Sequence, residues 1–194
     1  LKDRAELKPG ETLAILGASG GVGQAAIEIG RLMGARVIAC ASSPDKLDFC
    51  RRMGADETVD YDAEDLKQRL KDLTGGRGVD VGYDAVGDRH SGPALRALAW
   101  RGRHLVVGFA AGEIPKIPLN LLLLKGCDLR GVFWGESILK EPAAHRANME
   151  QVLAWMAEGR LKPHVHATYP LAETARAIEE IAGRRVKGKV IVVP

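Results

Sequence analysis

The stretch that most constrains the fold of this chain is residues 12–23, T-L-A-I-L-G-A-S-G-G-V-G. It opens with a continuous apolar run, which is typical of a strand buried on both faces of a parallel sheet. Ala18, Gly20 and Gly23 follow the G-x-G-x-x-G spacing, with alanine at the first position. Glycine at the second position lets a ligand approach the backbone, and glycine at the third lets a helix pack on the strand. The stretch therefore predicts a strand, a tight turn and a helix over residues 22–33.

The helix after this turn would direct its free N–H groups and the positive end of its dipole towards a phosphate. A second apolar segment at residues 36–41 completes a strand, helix and strand unit of roughly 30 residues. The sequence therefore predicts a dinucleotide site formed by the turn residues Ala18, Ser19, Gly20, Gly21, Val22 and Gly23. The alternatives are a purely structural tight turn and another Rossmann-type ligand, such as the methyl donor of a methyltransferase.

The end of the second strand bears on which dinucleotide would bind. Sites that prefer NAD usually place Asp or Glu there to accept hydrogen bonds from the ribose 2′-hydroxyl, whereas this chain has Ala41, Ser42 and Ser43. The serine hydroxyls can donate to a 2′-phosphate, and Lys46 can supply a positive charge. This combination predicts NADP(H). Ser42 and Ser43 can also simply cap the helix that begins at Pro44, and one turn can serve both purposes.

Hydrophobic periodicity and turn residues extend this unit into a six-stranded sheet. Further strands are predicted at residues 57–60, 79–84, 103–109 and 128–134. Further helices are predicted at residues 45–53, 62–73, 91–100, 143–158 and 171–182, and extended segments at 164–168 and 189–193. Strands that alternate with helices indicate an α/β fold, a Rossmann doubly wound six-stranded parallel sheet. We therefore expect an NADP-binding domain over residues 1–135 and a C-terminal segment over residues 136–194.

The composition is that of a globular α/β domain and argues against several classes of partner. Of the 194 residues, 46% are hydrophobic and 27% charged, and the formal net charge is +3. Acidic and basic residues are evenly mixed, which argues against nucleic acid or a membrane surface as a partner. Cys40, Cys50 and Cys127 are isolated and odd in number, so they predict neither disulfides nor a zinc cluster. Without a signal-peptide pattern, a reducing cytoplasmic location is expected.

No pattern of residues identifies a catalytic acid or base. The five histidines are scattered, and only His164 and His166 are spaced to share one face of a strand. That spacing occurs in some metal sites, but the pair has no acidic or cysteine partner nearby in the sequence. We therefore predict no metal site and assign no catalytic residue.

Four stretches together carry a family resemblance: G-A-S-G-G-V-G at 17–23, M-G-A-D at 53–56, D-V-G-Y-D-A-V-G at 80–87 and K-G-K-V at 187–190. They resemble the medium-chain dehydrogenase/reductases, specifically the zinc-free quinone oxidoreductases that include zeta-crystallin. The resemblance covers nearly the whole chain and implies that Lys46 and Tyr61 lie around the adenosine phosphate. It also implies that residues 107–110 line the nicotinamide side. With the strand ends, it adds these cofactor-binding residues: Val86, Gly87, Gly108, Phe109, Ala110 and Lys189.

The resemblance also implies an activity. Family members begin with a substrate domain of GroES-like fold, on which the segment after residue 135 packs, so we expect this chain to be the C-terminal part of a longer enzyme. The implied reaction is NADPH-dependent hydride transfer to a small molecule, a quinone or a similar electrophilic carbonyl or enone compound, with little turnover by this chain alone. The alternatives are a nucleotide-binding module without turnover, as in crystallins or redox sensors, and a zinc-dependent alcohol dehydrogenase.

Association is predicted from the sixth strand, which is an edge strand in the order 3-2-1-4-5-6. An edge leaves unpaired N–H and C=O groups, and Val132, Phe133 and Trp134 are apolar and favour strands. We expect two copies to pair along residues 127–134 as a homodimer, as family members do. The alternative is that the leucines at 121–124 fold back and cover this edge within one chain.

Overall fold

The centre of the fold is a sheet of six strands. A computed structural model of the chain describes all residues, Leu1–Pro194. The strands are β1 (Thr12–Leu16), β2 (Arg36–Ala41), β3 (Glu57–Asp60), β4 (Val79–Asp84), β5 (Leu98–Val106) and β6 (Asp128–Gly131). Their spatial order is β3-β2-β1-β4-β5-β6, and every pairing is parallel. The predicted doubly wound Rossmann sheet is confirmed, with the change of strand order lying between β1 and β4.

Helices connect these strands, and a second small sheet follows them. The helices are α1 (Lys2–Ala5), α2 (Gly21–Leu32), α3 (Pro44–Arg52), α4 (Leu66–Leu73), α5 (Asp88–Arg96), α6 (Asn120–Lys125), α7 (Trp134–Lys140), α8 (Pro142–Ala157) and α9 (Thr174–Ala182). The strands β7 (Val165–Pro170) and β8 (Lys189–Val193) pair in parallel as a separate two-stranded sheet. None of the helices is both long enough and apolar enough to cross a bilayer.

β1 is buried along its whole length because the core lies on both faces of the sheet. Leu13 packs in one cluster with Ile27 of α2, and Leu16 packs in another with Leu95 of α5. Alternate side chains of a strand point to opposite faces, so both faces of β1 need apolar residues. This burial anchors the turn that follows β1.

The fifth strand and the helix before it begin earlier than predicted. The helix α5 starts directly after Gly87, whose φ of +75° reverses the chain at the end of β4. β5 starts at Leu98, which is 1% exposed and pairs with Val79 across an irregular register. Trp100 therefore lies in the strand, where it is 71% exposed. The predicted last part of the strand, residues 107–109, instead forms a loop beyond β5.

The sixth strand is shorter than predicted, because Trp134 already begins α7. Val132 donates its N–H to the carbonyl of Val106 at 2.9 Å, so its backbone groups face β5. Since these groups alternate in direction along a strand, those of Gly131 face the open edge, where the Nε of Arg4 donates to the Gly131 carbonyl at 3.0 Å. The leucines at 121–124 lie in α6, which sequence periodicity did not indicate, as it did not indicate α7.

Candidate cofactor-binding site

Glycines allow α2 to lie close to the end of β1. Gly17 has a φ of +70°, and a Cβ at this position would lie 2.8 Å from Cγ2 of Val86. A Cβ at Gly23 would overlap the carbonyl oxygen of Gly17 and lie 2.6 Å from Cα of Ala18. At Gly20, by contrast, the nearest atom to such a Cβ is 3.4 Å away. The third glycine of the fingerprint is thus required by packing, whereas a methyl group at the second would make only an ordinary contact with the Gly17 carbonyl oxygen.

The start of α2 presents unused hydrogen-bond donors. Gly20 is the N-cap residue and provides no side-chain bond to the helix. The N–H groups of Gly21, Val22 and Gly23 have no acceptor within the chain, as expected for the first turn of a helix. Together with the positive end of the helix dipole, these donors form a place where an anion is stabilised.

Lys189 lies against this helix start. Gly188 donates its N–H to the carbonyl of Ser19 at 2.9 Å, which brings the beginning of β8 onto the turn. A Cβ at Gly21 would lie 2.9 Å from the Nζ of Lys189. A positive charge near a helix N-terminus is unfavourable by itself, and no carboxylate forms an ion pair with Lys189. The arrangement therefore favours an anion that contacts both the helix start and this ammonium group.

A second polar cluster lies at the ends of β2 and β3. The Nζ of Lys46 donates to the Oγ of Ser42 at 3.0 Å. Burial raises the pKa of Tyr61, directly after β3, to about 12. Ser43 is the N-cap residue of α3, but its side chain makes no capping hydrogen bond, and Pro44 begins the helix as expected. The hydroxyl of Ser43 therefore remains able to bind a ligand at this turn, whereas that of Ser42 already contacts Lys46 and Tyr61.

Two basic residues near this cluster were not predicted from the sequence. The positive charge of Arg184 acts against the larger effect of burial on the pKa of Tyr61. The Nζ of Lys187 lies 2.6 Å from the Oδ2 of Asp45, and this hydrogen bond lowers the pKa of the exposed carboxyl. The only sequence signal was the basic stretch R-R-V-K at residues 184–187, more than a hundred residues from the turn that it approaches.

The ends of β4 and β5 bring the remaining predicted residues together. Ala110 donates its N–H to the carbonyl of Ala85 at 3.1 Å, so the loop after β5 lies over the loop after β4. A Cβ at Gly87 would lie 2.9 Å from Cδ1 of Phe109. Val86 and Gly108 lie in the same two loops. All predicted site residues thus lie at the carboxyl ends of the strands, and Lys189 reaches this side of the sheet from the C-terminal segment.

A buried polar network, which was not predicted from the sequence, supports the loop after β4. One carboxylate oxygen of Asp84 accepts the N–H groups of Val86 and Gly87 at 2.9 and 2.8 Å. The other accepts the hydroxyl of Ser91 and lies 3.2 Å from the Nε2 of His104. Burial opposes ionisation of Asp84, but these hydrogen bonds outweigh it and hold the pKa of this carboxyl below its ordinary value. The network fixes the loop in one conformation.

A cavity of about 550 Å³ lies between α2 and α8. Its lining includes Gly21, Val22 and Lys189 at the helix start and the aromatic side chains of Tyr83 and Trp134. The wall is mostly apolar, so the cavity suits a flat apolar compound or a nicotinamide ring better than a charged one. No group of three or more His, Cys, Asp or Glu side chains is arranged to hold a metal ion.

Comparison with known proteins places this geometry in a family. The family model described as zinc-binding dehydrogenase matches residues 21–158. The quinone oxidoreductase-like protein 2 homolog of Nematostella vectensis is 37% identical over 99% of this chain and 53% of its own length. The quinone oxidoreductase of Pseudomonas aeruginosa is 32% identical over 100% of this chain and 60% of its own length. The chain thus spans a little over half the length of these curated relatives.

A solved structure gives the same result for the fold. Escherichia coli quinone oxidoreductase complexed with NADPH superposes with a TM-score of 0.87 at 30% identity, covering 97% of this chain and 59% of that one. The doubly wound sheet, the glycine turn after β1 and the family match over most of the chain agree with one another. The chain therefore belongs to the zinc-binding dehydrogenase family, within the medium-chain dehydrogenase/reductase superfamily.

Proposed function

We propose that this chain binds NADP(H) and holds its nicotinamide for hydride transfer to a quinone or a similar electrophilic carbonyl or enone compound. The observation that carries the proposal is the cluster after β2, where Ala41 stands in place of the carboxylate of an NAD site and Lys46 contacts Ser42. The E. coli relative, whose structure holds NADPH, supports the choice of cofactor. When bound, the cofactor supplies the hydride, and the chain supplies binding and orientation.

The 2′-phosphate would lie between Ser42, Ser43, Lys46 and Tyr61. The contact between the Nζ of Lys46 and the Oγ of Ser42 holds the ammonium group at the turn before a ligand arrives. Arg184 adds a second positive charge, which acts on Tyr61 through space. The nearby carboxylate of Asp45 is paired with Lys187, which reduces its repulsion of a phosphate. These groups favour a doubly charged phosphate over a neutral ribose hydroxyl.

The pyrophosphate would bind at the start of α2. The N–H groups of Gly21, Val22 and Gly23 would donate to it, Gly20 would leave room for it, and Lys189 would contact it from the other side. The nicotinamide would then extend towards Val86, Phe109 and the loop after β5. Val22 and Phe109 are 50% and 39% exposed, and they present apolar surface to a ring. The apolar cavity beside Val22 would take the acceptor.

Loss of Lys46 is expected to reduce the affinity for NADPH but not for NADH. One charge-assisted contact to a phosphate contributes about 1.5 to 3 kcal/mol, so Lys46→Ala should raise the NADPH dissociation constant on the order of ten-fold. The NADH constant should change little, and the wild-type chain should prefer NADPH by a similar factor. Titration of both cofactors by nicotinamide fluorescence measures this. Lys67→Ala removes an exposed lysine from α4 and is the charge-matched control.

Equal affinity of the wild-type chain for NADPH and NADH would contradict the proposed cofactor. An NADPH affinity that responds equally to Lys46→Ala and Lys67→Ala would show that the 2′-phosphate lies elsewhere. Because both variants lose one positive charge, a general electrostatic effect cancels in this comparison. Repeating the titration at two salt concentrations separates the direct contact from long-range attraction.

We also propose that two copies of the chain associate along β6. The backbone of Leu129 faces the open edge, as that of Gly131 does, and can pair with a second strand. Exposed apolar side chains flank this edge: Leu123, Leu124 and Phe133 are 81%, 73% and 75% exposed. Pairing across a two-fold axis would bury them. Since Arg4 already uses the Gly131 carbonyl, the apolar side chains would supply most of the interface.

Leu129→Pro is expected to weaken this dimer. Proline removes the N–H group that faces the open edge, while the hydrogen bond from Val132 to Val106 inside the sheet is retained. The dimer dissociation constant should rise roughly ten-fold or more. Leu129→Ala keeps the N–H group and is the matched control, and sedimentation measures both. A wild-type chain that stays monomeric at high micromolar concentration, or equal effects of the two variants, would contradict this interface.

A further inference from the structure

Two buried polar side chains of α2 connect this helix to the C-terminal segment. Gln24 and Glu28 are 1% and 9% exposed, and the Nε2 of Gln24 donates to the Oε2 of Glu28. The Oε1 of Glu28 accepts the backbone N–H of Lys162 at 2.8 Å. A buried carboxylate is strongly unfavourable unless its oxygens are hydrogen bonded. This carboxylate therefore holds the backbone at residue 162 against the helix.

The segment held in this way leads directly to Lys189. Two residues after Lys162, the carbonyl of His164 accepts the N–H of Lys189 at 3.0 Å. The ring of His164 packs on Phe49 of α3, with centroids 5.0 Å apart. At Gly188, whose φ is +73°, a Cβ would lie 2.5 Å from the His164 carbonyl. Residues 162–164 and the beginning of β8 thus form one closely packed unit.

The position of the Lys189 side chain requires such a support. Its Nζ lies beside the positive end of α2, 2.9 Å from the position that a Cβ of Gly21 would take. The helix dipole repels a cation there. The charge of the side chain therefore does not explain why it lies at this position. Its backbone is held from both sides, by the Ser19 carbonyl through Gly188 and by the His164 carbonyl directly.

We propose that Glu28 is a positioning residue for the anion site. Through the N–H of Lys162 it fixes residues 162–164, and these hold Lys189 over the start of α2, where its ammonium group contacts the pyrophosphate of the cofactor. The inference rests on the proposed function, because it assigns Lys189 to the pyrophosphate. It adds that the affinity of this site depends on a carboxylate that never touches the ligand.

The test uses backbone and side-chain variants of one residue. Lys162→Pro removes the N–H that Glu28 accepts, and because residue 163 is already proline, the backbone at 162 is restricted to extended conformations that proline adopts. Lys162→Ala keeps the N–H and is the matched control. NADPH binding is measured by fluorescence, with circular dichroism to establish that each variant is folded. Lys162→Pro is expected to raise the NADPH dissociation constant about three- to ten-fold, and Lys162→Ala to leave it unchanged.

Double mutants separate positioning from general loosening of the fold. In a Lys189→Ala background, adding Lys162→Pro should change the constant less than about two-fold, whereas in a Lys46→Ala background it should keep its full effect. Glu28→Gln should retain affinity, because its amide oxygen still accepts the Lys162 N–H and Gln24 can turn its own amide so that its oxygen accepts from the new NH2 group. Equal effects in both backgrounds, or no effect of Lys162→Pro in a chain that binds NADPH, would overturn this inference alone. No effect of Lys189→Ala would overturn it together with the proposed contact between Lys189 and the pyrophosphate. A wild-type chain that binds no NADPH would overturn the proposed function as well.

Discussion

Gly23→Ala is expected to reduce NADPH affinity roughly a hundred-fold or more. The new Cβ would overlap the carbonyl oxygen of Gly17 and approach Cα of Ala18 to 2.6 Å. Both are backbone atoms at the end of a fully buried strand, so α2 must move instead. Displacing its first turn weakens several charge-assisted contacts to the pyrophosphate at once. A loss of about 2.7 kcal/mol in binding free energy corresponds to a hundred-fold weaker affinity.

The same change is expected to destabilise the fold. Overpacking a close contact costs about 1 to 3 kcal/mol, which exceeds the gain of about 1 kcal/mol from replacing glycine by alanine within a helix. Gly20→Ala is the informative comparison, because its Cβ would meet no atom closer than 3.4 Å. That variant should keep its stability and still bind NADPH more weakly. Urea denaturation and fluorescence titration measure the two effects, and a Gly23→Ala chain with wild-type affinity would contradict the predicted geometry.

Asp84→Ala is expected to lower the free energy of unfolding by about 3 to 5 kcal/mol, the range for breaking a buried charged network by removing one partner. Asp84 is 3% exposed. Its carboxylate accepts hydrogen bonds from Val86, Gly87 and Ser91 and contacts the ring of His104. Ser91→Ala removes only one of these hydrogen bonds, so it should cost about 1.5 to 3 kcal/mol. Urea denaturation at pH 7 compares the two variants. Equal losses would show that Asp84 does not organise the network.

The pH dependence provides an independent check on Asp84. Its pKa in the folded chain lies below the ordinary value of 3.8, so its contribution to stability is complete above that value. The contribution is lost as the pH falls through the lower folded pKa. The Asp84→Ala chain should therefore lose less stability than the wild type as the pH falls from 5 to 2. An identical loss in both chains would contradict the lowered pKa.

Those features of the fold that depend on neighbouring residues could be predicted from the sequence. The turn at residues 17–23 has a fixed glycine spacing and lies between an apolar strand and a helix. This local pattern was enough to predict the order of the strands around it. The start of α3 at Pro44 likewise follows from local backbone chemistry. The exact ends of β5 and β6 could not be predicted, because β5 starts where Leu98 pairs with Val79, and β6 ends where the chain turns into α7.

The parts of the site that were missed join residues distant in the sequence. Asp84 meets His104 twenty positions later, and Glu28 meets the backbone of Lys162 across 134 positions. Neither Glu28 nor His104 stands out in the sequence, since a glutamate in a helix usually faces solvent and a lone histidine carries no spacing signal. Arg184 was missed for the same reason. Only the tertiary structure brings these groups together.

The contact of Gly188 and Lys189 with the glycine turn has a consequence for how the protein is made. The six-stranded sheet is complete once residues up to Gly131 have been synthesised, and domains generally fold as units from the N-terminal side during translation. The ammonium group at the anion site, however, belongs to Lys189, which is synthesised after all six strands of this sheet. A product that ends between Gly131 and Lys189 would therefore contain a finished sheet and an unfinished site. Cofactor binding thus reports that synthesis has passed Lys189, as well as that the sheet has folded.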